Sequence, residues 1–210
     1  MQHASSAVDM GTGGGEQLLE LKGHWPKRVV ATEEYPPNVR LATERLAPLG
    51  VVVETVRLTT RDAMPFADGE FDLVVNRHSA FNSGEVARIL APSGTFFTQQ
   101  VHGLWAQDLL AAFDAKPQWP ESTLATNTSR LEAAGLEIAD AQEWSGKLAF
   151  SDVGAIVYFL KATPWLVPGF TVETHIEHLL RLQSRVLEGE NLVFEARKYL
   201  VEARKRPLRD

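Results

Sequence analysis

The segment 9–16, Asp-Met-Gly-Thr-Gly-Gly-Gly-Glu, constrains the fold more than any other part of this sequence. A short apolar run precedes it and the helical pattern 17–21 follows it, which is typical of a strand, a glycine turn and a helix. Glycine takes backbone angles that a Cβ atom disfavours and lets a ligand approach the main chain. A turn that opens a helix suits a polar or anionic ligand group. The Asp9 carboxylate, however, would repel a pyrophosphate and would suit a cationic amino-acid group.

Short runs rich in Val or Phe alternate with helical patterns, which predicts a parallel sheet with helices on both faces. The predicted strands of the first half are Ala7–Met10, Arg28–Thr32, Val51–Val56, Phe71–Asn76 and Gly94–Val101. The predicted helices between them are Glu16–Gly23, Asn38–Leu49 and Gly84–Leu90. In the second half we predict helices at Leu104–Ala115, Ser122–Ala134, Phe150–Lys161 and Thr171–Leu187, and strands at Leu136–Trp144 and Phe194–Ala203.

The glycine turn and this element order resemble the class I S-adenosylmethionine-dependent methyltransferases of the methyltransferase type 11-like kind. The resemblance implies an α/β, doubly wound, Rossmann-like fold with a seven-stranded, mostly parallel sheet in the order 3-2-1-4-5-7-6. It also implies S-adenosylmethionine as the cofactor and a methyl group as the group transferred. The residues framing the cofactor in the glycine turn would be Asp9, Gly11, Thr12, Gly13 and Gly15.

Further cofactor contacts are expected after the second, third and fourth strands. Glu33 ends the second strand about 20 residues past the turn, the spacing at which an acidic residue reaches ribose hydroxyls. In the segment 61–66, Arg-Asp-Ala-Met-Pro-Phe, Asp62 and Ala63 match the family positions that hold the adenine. Asn76 ends the fourth strand, at the edge where open α/β sheets bind ligands, and is expected to line the cofactor pocket near its methionine end.

Two histidines are candidates for a general base, because the ordinary pKa of imidazole suits proton removal near neutral pH. His78 follows the fourth strand and His102 follows the fifth. Gln100, beside His102, would need hydrogen-bonding partners if buried, and a substrate or the loop after the fourth strand could supply them. No metal site is expected, since the histidine pair His175 and His178 lacks a third ligand nearby in the sequence.

We expect one methyltransferase domain, residues 1–210, in which residues 145–191 form a helical insertion before the last strand. Many family members build a substrate lid there, and Trp165, in a loop flanked by prolines, is the best candidate for it. Family members also carry helices before the glycine turn. Only about six residues precede the first predicted strand here, so either this sequence begins downstream of the natural start or the cofactor cleft is more open.

Composition limits the function classes. The net charge of −6 argues against nucleic acid and anionic membranes as partners. The absence of cysteine excludes disulfides and thiol catalysis. With no apolar run long enough to span a bilayer and no signal-peptide pattern, we expect a cytoplasmic monomer or homodimer.

The leading hypothesis is methyl transfer to an O, N or C atom of a small-molecule acceptor. The alternatives are a non-catalytic protein of the same fold that binds S-adenosylmethionine or S-adenosylhomocysteine and, less favoured, an RNA methyltransferase. A nicotinamide-dependent oxidoreductase would require Gly-x-Gly-x-x-Gly, and Glu16 occupies the last position of that pattern.

Overall fold

The computed structural model describes residues 4–207, in which strands and helices alternate through the first half of the chain. The strands are β1 Ser6–Met10, β2 Arg28–Glu33, β3 Val52–Thr55, β4 Phe71–Arg77, β5 Leu90–Val101, β6 Leu136–Phe150 and β7 Leu192–Lys205. The α-helices are α1 Glu16–Glu20, α2 Pro36–Leu46, α3 Ser83–Ile89, α4 Gln107–Ala112, α5 Leu124–Ala133, α6 Val153–Ala162 and α7 Ile176–Leu187. None of these helices combines the length and apolarity needed to cross a bilayer.

The strands form one sheet in the order β3-β2-β1-β4-β5-β7-β6, which confirms the predicted fold class. The pairs β1–β2, β1–β4, β2–β3 and β4–β5 are parallel. In this register Met10 lies opposite Thr32 on one side and Asn76 on the other. The carboxyl ends of β1, β2 and β4 therefore lie at one edge of the sheet.

The chain divides into two compact units. Of the described residues, the first unit contains 4–100, 124–142 and 200–207, and the second contains Val101–Thr123 and Glu143–Tyr199. In the first unit, helices α1 and α2 pack on β2. The buried side chains of this cluster are Leu18 of α1, Ala42 and Leu46 of α2, and Val29 and Ala31 of β2. In the second unit, α4, α6 and α7 enclose a separate core that includes Leu109, Phe113, Ile156, Leu160 and Leu182.

Most elements begin or end at least one residue away from their predicted positions. The larger differences include β5, which starts at Leu90 and not Gly94, and α7, which starts at Ile176 and not Thr171. Helix α2 starts at Pro36, not Asn38, because proline fits the first turn of a helix, where its missing N–H is not needed. Strand β6 continues to Phe150, beyond the predicted end at Trp144. Its half-buried residues alternate along this extension, the period of a strand. The helical segment before β7 therefore begins at Val153, where the Asp152 side chain accepts a hydrogen bond from the Ala155 N–H.

Arg88 holds the loop between β3 and β4 against helix α3. Its guanidinium donates to the carbonyl oxygens of Met64 at 3.0 Å and Phe66 at 2.6 Å. It also forms ion pairs with Glu85 and Asp68, at 2.7 and 2.9 Å. Since Asp62 and Ala63 lie in the same loop, this one side chain fixes the backbone next to the predicted adenine contacts.

Arg88→Gln should lower the free energy of unfolding by about 2 kcal/mol, because hydrogen bonds to charged groups are worth more than neutral ones. Arg40→Gln is the control, since its pair with Glu44 is exposed and spans 3.9 Å, and such pairs contribute little. Urea denaturation followed by circular dichroism measures both variants. Equal stabilities for the two would contradict this role of Arg88.

Candidate functional site

The glycine turn connects β1 to α1 and depends on left-handed backbone angles. Gly11, Gly13 and Gly15 have φ values of 74°, 63° and 84°, a region that side chains with a Cβ atom disfavour. The Thr12 N–H donates to the Thr32 carbonyl at 2.8 Å. The turn therefore stays attached to β2 after the regular pairing of the two strands ends at Met10.

Glu33 joins the end of β2 to this turn. Its Oε2 accepts a hydrogen bond from the Gly13 N–H at 2.8 Å, and its Oε1 accepts from the N–H groups of Glu34 and Tyr35 at 2.9 and 3.0 Å. The side chain is buried, and these donors stabilise a carboxylate that burial would otherwise disfavour. The predicted proximity of Glu33 to the glycine turn is thus present in the structure.

Asp9 lies on β1, two residues before Gly11. Burial raises the pKa of its carboxyl group, and the negative charge of Glu33 raises it further, whereas the Thr12 side chain and the Arg77 charge lower it. A cationic group bound here would favour the ionised form. The preference of this position for a cationic group stays a prediction.

Two features of the turn indicate room and unused hydrogen-bonding capacity for a ligand. The Thr12 hydroxyl is buried and has no hydrogen-bonding partner within 3.5 Å among residues 4–207, which is uncommon for a buried polar atom, although it lies close enough to the Asp9 carboxyl to lower the pKa of that group. A Cβ atom built on Gly13 would meet no atom within 4 Å. The carboxylates of Asp9 and Glu33 are hydrogen-bond acceptors. Together with the Thr12 hydroxyl, they fit a ligand that carries an ammonium group and hydroxyls, as S-adenosylmethionine does.

Gly11 differs from Gly13, because the loop after β4 packs directly against it. A Cβ atom at Gly11 would lie 2.7 Å from the Cβ of Ser79 and would also collide with the Ser79 hydroxyl. Leu58, from the loop after β3, lies 3.6 Å from the same point. The loops that follow β3 and β4 therefore both reach the first glycine of the turn.

A buried polar network holds the loop after β4. The Asn76 side chain, 1% exposed, accepts hydrogen bonds from Thr98 Oγ1 at 3.0 Å and from Gln100 Nε2. Gln100 Nε2 also donates to the Ser79 carbonyl at 3.1 Å. The loop after β4 thus supplies one of the hydrogen-bonding partners that a buried Gln100 needs. Asn76, expected to line the cofactor pocket, is buried among neighbouring strands and acts on this loop through its hydrogen bond with Gln100.

The two candidate bases lie in different surroundings. His78 is exposed, follows β4 directly and has a φ of 59°. A non-glycine residue in this region is uncommon, and such strain is concentrated at functional sites. His102 belongs to the second unit and is buried.

The hydrogen bonds of His102 limit its use as a base. Its Nδ1 accepts from the Leu104 N–H at 3.0 Å, which assigns the proton of the neutral ring to Nε2. Nε2 lies 4.0 Å from Glu143 Oε2. In this state neither ring nitrogen has a lone pair available to a substrate, so the environment favours His78 over His102.

Asp62 and Ala63 are both exposed in the loop between β3 and β4. The Asp62 N–H donates to Thr59 Oγ1 at 2.8 Å. Its carboxylate forms no ion pair or hydrogen bond with the rest of the described chain. Both residues are therefore accessible, as their predicted role requires.

Sequence reasoning did not identify Ser79 and Arg45 as parts of this site. Arg45, on α2, donates to the Gly14 carbonyl at 2.8 Å and pairs with Glu16. Neither residue lies in a motif, and both approach the glycine turn from distant parts of the sequence. The ligating groups of a metal centre do not occur together within residues 4–207; His178 instead pairs with Asp114 at 3.0 Å.

Gly11→Ala should destabilise the protein more than Gly13→Ala, although both positions carry the same left-handed φ penalty of about 1–2 kcal/mol. Only Gly11 adds a collision, with Ser79, and overpacking typically costs about 1–3 kcal/mol more. Urea denaturation measures the difference. The double variant Gly11→Ala/Ser79→Gly should recover most of the excess, and the absence of any recovery would contradict the contact.

Asp9→Asn should raise the stability of the ligand-free protein at pH 7. Because the pKa of Asp9 is raised in the folded state, its contribution to stability is present at low pH and is lost as the pH rises through the folded-state pKa. The gain from Asn should therefore shrink as the pH falls to the ordinary carboxyl range. Urea denaturation at pH 7 and pH 4 tests this, with the exposed Asp140→Asn as control; a destabilised Asp9→Asn protein at pH 7 would refute it.

Comparisons with known proteins agree with this geometry. Residues 8–98 match the family model described as a methyltransferase domain. The sequence has no match among curated proteins. The fold is similar to that of a Bacillus halodurans protein proposed to be a methyltransferase, with 17% identity, a TM-score of 0.68, and coverage of 98% of this chain and 94% of that chain.

Two further solved structures share the fold. One is the [4+2]-cyclase SpnF, with 16% identity, a TM-score of 0.61, and coverage of 99% of this chain and 78% of that chain. The other is geranyl diphosphate methyltransferase in complex with S-adenosylmethionine, with 14% identity, a TM-score of 0.55, and coverage of 96% and 78%. Residues 8–98 therefore match the methyltransferase domain model, and the whole chain has the Rossmann-like fold of these solved structures.

Proposed function

We propose that this protein transfers a methyl group from S-adenosylmethionine to an O, N or C atom of a small-molecule acceptor. The observation that carries the proposal is the glycine turn, where space is open at Gly13 and the Gly13 N–H donates to the buried Glu33 carboxylate at 2.8 Å. The buried Thr12 hydroxyl, close to Asp9, has no hydrogen-bonding partner within 3.5 Å among residues 4–207, and a bound ligand would supply one.

Four side chains and one backbone group would hold the cofactor. Asp9 would pair with the ammonium of its amino-acid end, and Thr12 would hydrogen-bond to the same end. Glu33 would accept from a ribose hydroxyl through Oε2, which accepts only the Gly13 N–H at present and keeps a second lone pair. Asp62 would accept from the exocyclic amine of adenine, and the Ala63 N–H would donate to a ring nitrogen. When bound, S-adenosylmethionine supplies an electrophilic methyl group on a sulfonium.

The protein would contribute mainly orientation and proximity to the reaction. Where the acceptor must lose a proton, His78 is the favoured base, because it is exposed at the carboxyl end of β4. Through the Ser79 carbonyl, Gln100 would fix the loop that carries His78. His102 is the second candidate, and it would first have to exchange its present hydrogen bonds.

A non-catalytic protein that binds S-adenosylmethionine or S-adenosylhomocysteine is the alternative. A shared fold does not determine the reaction, and the fold of this chain is also similar to that of a [4+2]-cyclase, so the fold alone does not establish methyl transfer. RNA methylation is less favoured, because RNA binding depends on basic surface and the net charge here is −6.

Calorimetric titration of the full chain with S-adenosylmethionine and S-adenosylhomocysteine should give saturable binding, and titration with NAD should give none. Asp62→Asn should weaken cofactor binding about 10-fold, since it removes the charge that accepts from adenine. Asp140→Asn, an exposed Asp outside the predicted site, should bind like the unaltered chain. Binding of NAD, or equal effects of the two substitutions, would contradict the proposed cofactor site.

An acceptor screen then separates the two functions. With S-adenosylmethionine bound, formation of S-adenosylhomocysteine in the presence of a small molecule would support methyl transfer, and His78→Gln should lower the rate at neutral pH for acceptors that must lose a proton. Cofactor binding without turnover on any acceptor class would favour the binding protein. An unchanged rate in His78→Gln with such an acceptor would exclude His78 as the base.

A further inference from the structure

A concave site in the first unit shares the loop between β3 and β4 with the predicted adenine contacts, but other residues line it. A cavity of about 410 Å³ is bounded by the loop after β3, the start of α3 and helix α5. Arg61 lines it from the loop and Arg130 from α5. None of the residues expected to bind the cofactor is among its lining residues. Its volume is in the range of small-molecule sites.

The two arginines of this cavity have no acidic partner among residues 4–207. Most other arginines there form ion pairs, including Arg28, Arg40, Arg45, Arg57, Arg88, Arg185, Arg197, Arg204 and Arg206. Two unpaired guanidinium groups facing one cavity repel each other. An anion between them would remove that cost, and the overall charge of −6 makes such a positive cavity a local exception.

The remaining walls suit a phosphate group attached to an organic body. Thr60 and Ser83 bring hydroxyl groups to the cavity, and Asn82 brings an amide. The Asn82 Oδ1 accepts from the N–H groups of Gly84 and Glu85, at 3.0 and 3.4 Å, so this side chain is held in place. Phe81 gives one wall an apolar surface. It is itself fixed by edge contact with Phe96, at 5.0 Å between ring centroids.

We propose that this cavity binds the phosphate group of a phosphorylated small molecule. Two guanidinium groups and two hydroxyls match a dianion with three acceptor oxygens better than they match a carboxylate. The volume exceeds that of phosphate alone, so the organic part of the ligand would fill the rest. This site is independent of the proposed methyl transfer, because it needs none of the cofactor residues.

The test is calorimetric titration of the full chain, in phosphate-free buffer at low salt, with inorganic phosphate, ribose 5-phosphate and uncharged ribose. Both phosphates should bind and ribose should not. Tighter binding of ribose 5-phosphate than of phosphate would assign the site to a phosphorylated molecule, whereas equal affinities would reduce it to a free-phosphate site and overturn that part of the proposal.

Arg61→Gln and Arg130→Gln should each weaken phosphate binding at least about 10-fold, which is about 1.4 kcal/mol. Arg181→Gln is the matched control, because Arg181 on α7 is also exposed and has no ion pair within the described residues, but is not among the residues that line the cavity. Equal weakening in all three variants would indicate nonspecific attraction and overturn the proposal. Unchanged phosphate binding in Arg61→Gln and Arg130→Gln would overturn the proposal as well.

Saturating S-adenosylhomocysteine distinguishes this site from the cofactor site. Phosphate affinity should change less than about 2-fold, and loss of phosphate binding would mean that the cavity belongs to the cofactor site. If S-adenosylhomocysteine itself fails to bind while phosphate binds and depends on both arginines, the cofactor proposal fails and the anion site stands.

Discussion

The buried carboxylate of Glu33 is the interaction on which the candidate site depends. A charged group that leaves water needs donors in return, and here the donors are backbone N–H groups from two separate places, the glycine turn and the start of α2. The carboxylate therefore ties the end of β2 to the connection after β1. Without it, the turn would keep the bonds from Gly11 and Thr12 to Thr32 and the bond from Arg45 to the Gly14 carbonyl.

Asp9 is a second carboxylate close to Glu33, and its surroundings disfavour its ionised form. Its burial and the negative charge of Glu33 both raise its pKa. Natural sequences break local rules of this kind mainly at functional sites, where stability is exchanged for preorganisation. Glu33 thus holds the turn in place, and Asp9 is the carboxylate that we propose selects a cationic group.

The parts of this structure that depend on local sequence were predictable, and the parts that depend on distant contacts were not. The glycine turn and the strands next to it follow from short apolar runs bounded by turn residues. The strand order followed from the family resemblance, because parallel pairing leaves no local signal. Strand β6 passes through Ser145 and Gly146, where local preference favours a turn, because pairing within the sheet outweighs it. The burial of Asn76 and the position of Ser79 depend on how loops from several strands meet.

The contact between Gly11 and Ser79 also restricts how this protein can change over evolutionary time. The two positions share one small volume, so the tolerated residue at each depends on the residue at the other. A lineage could enlarge position 11 only after position 79 had become glycine, and the reverse order would pass through a poorly folded intermediate. Relatives should therefore show linked substitutions at these positions. A substitution that is neutral by itself at one position would determine which residues are tolerated at the other.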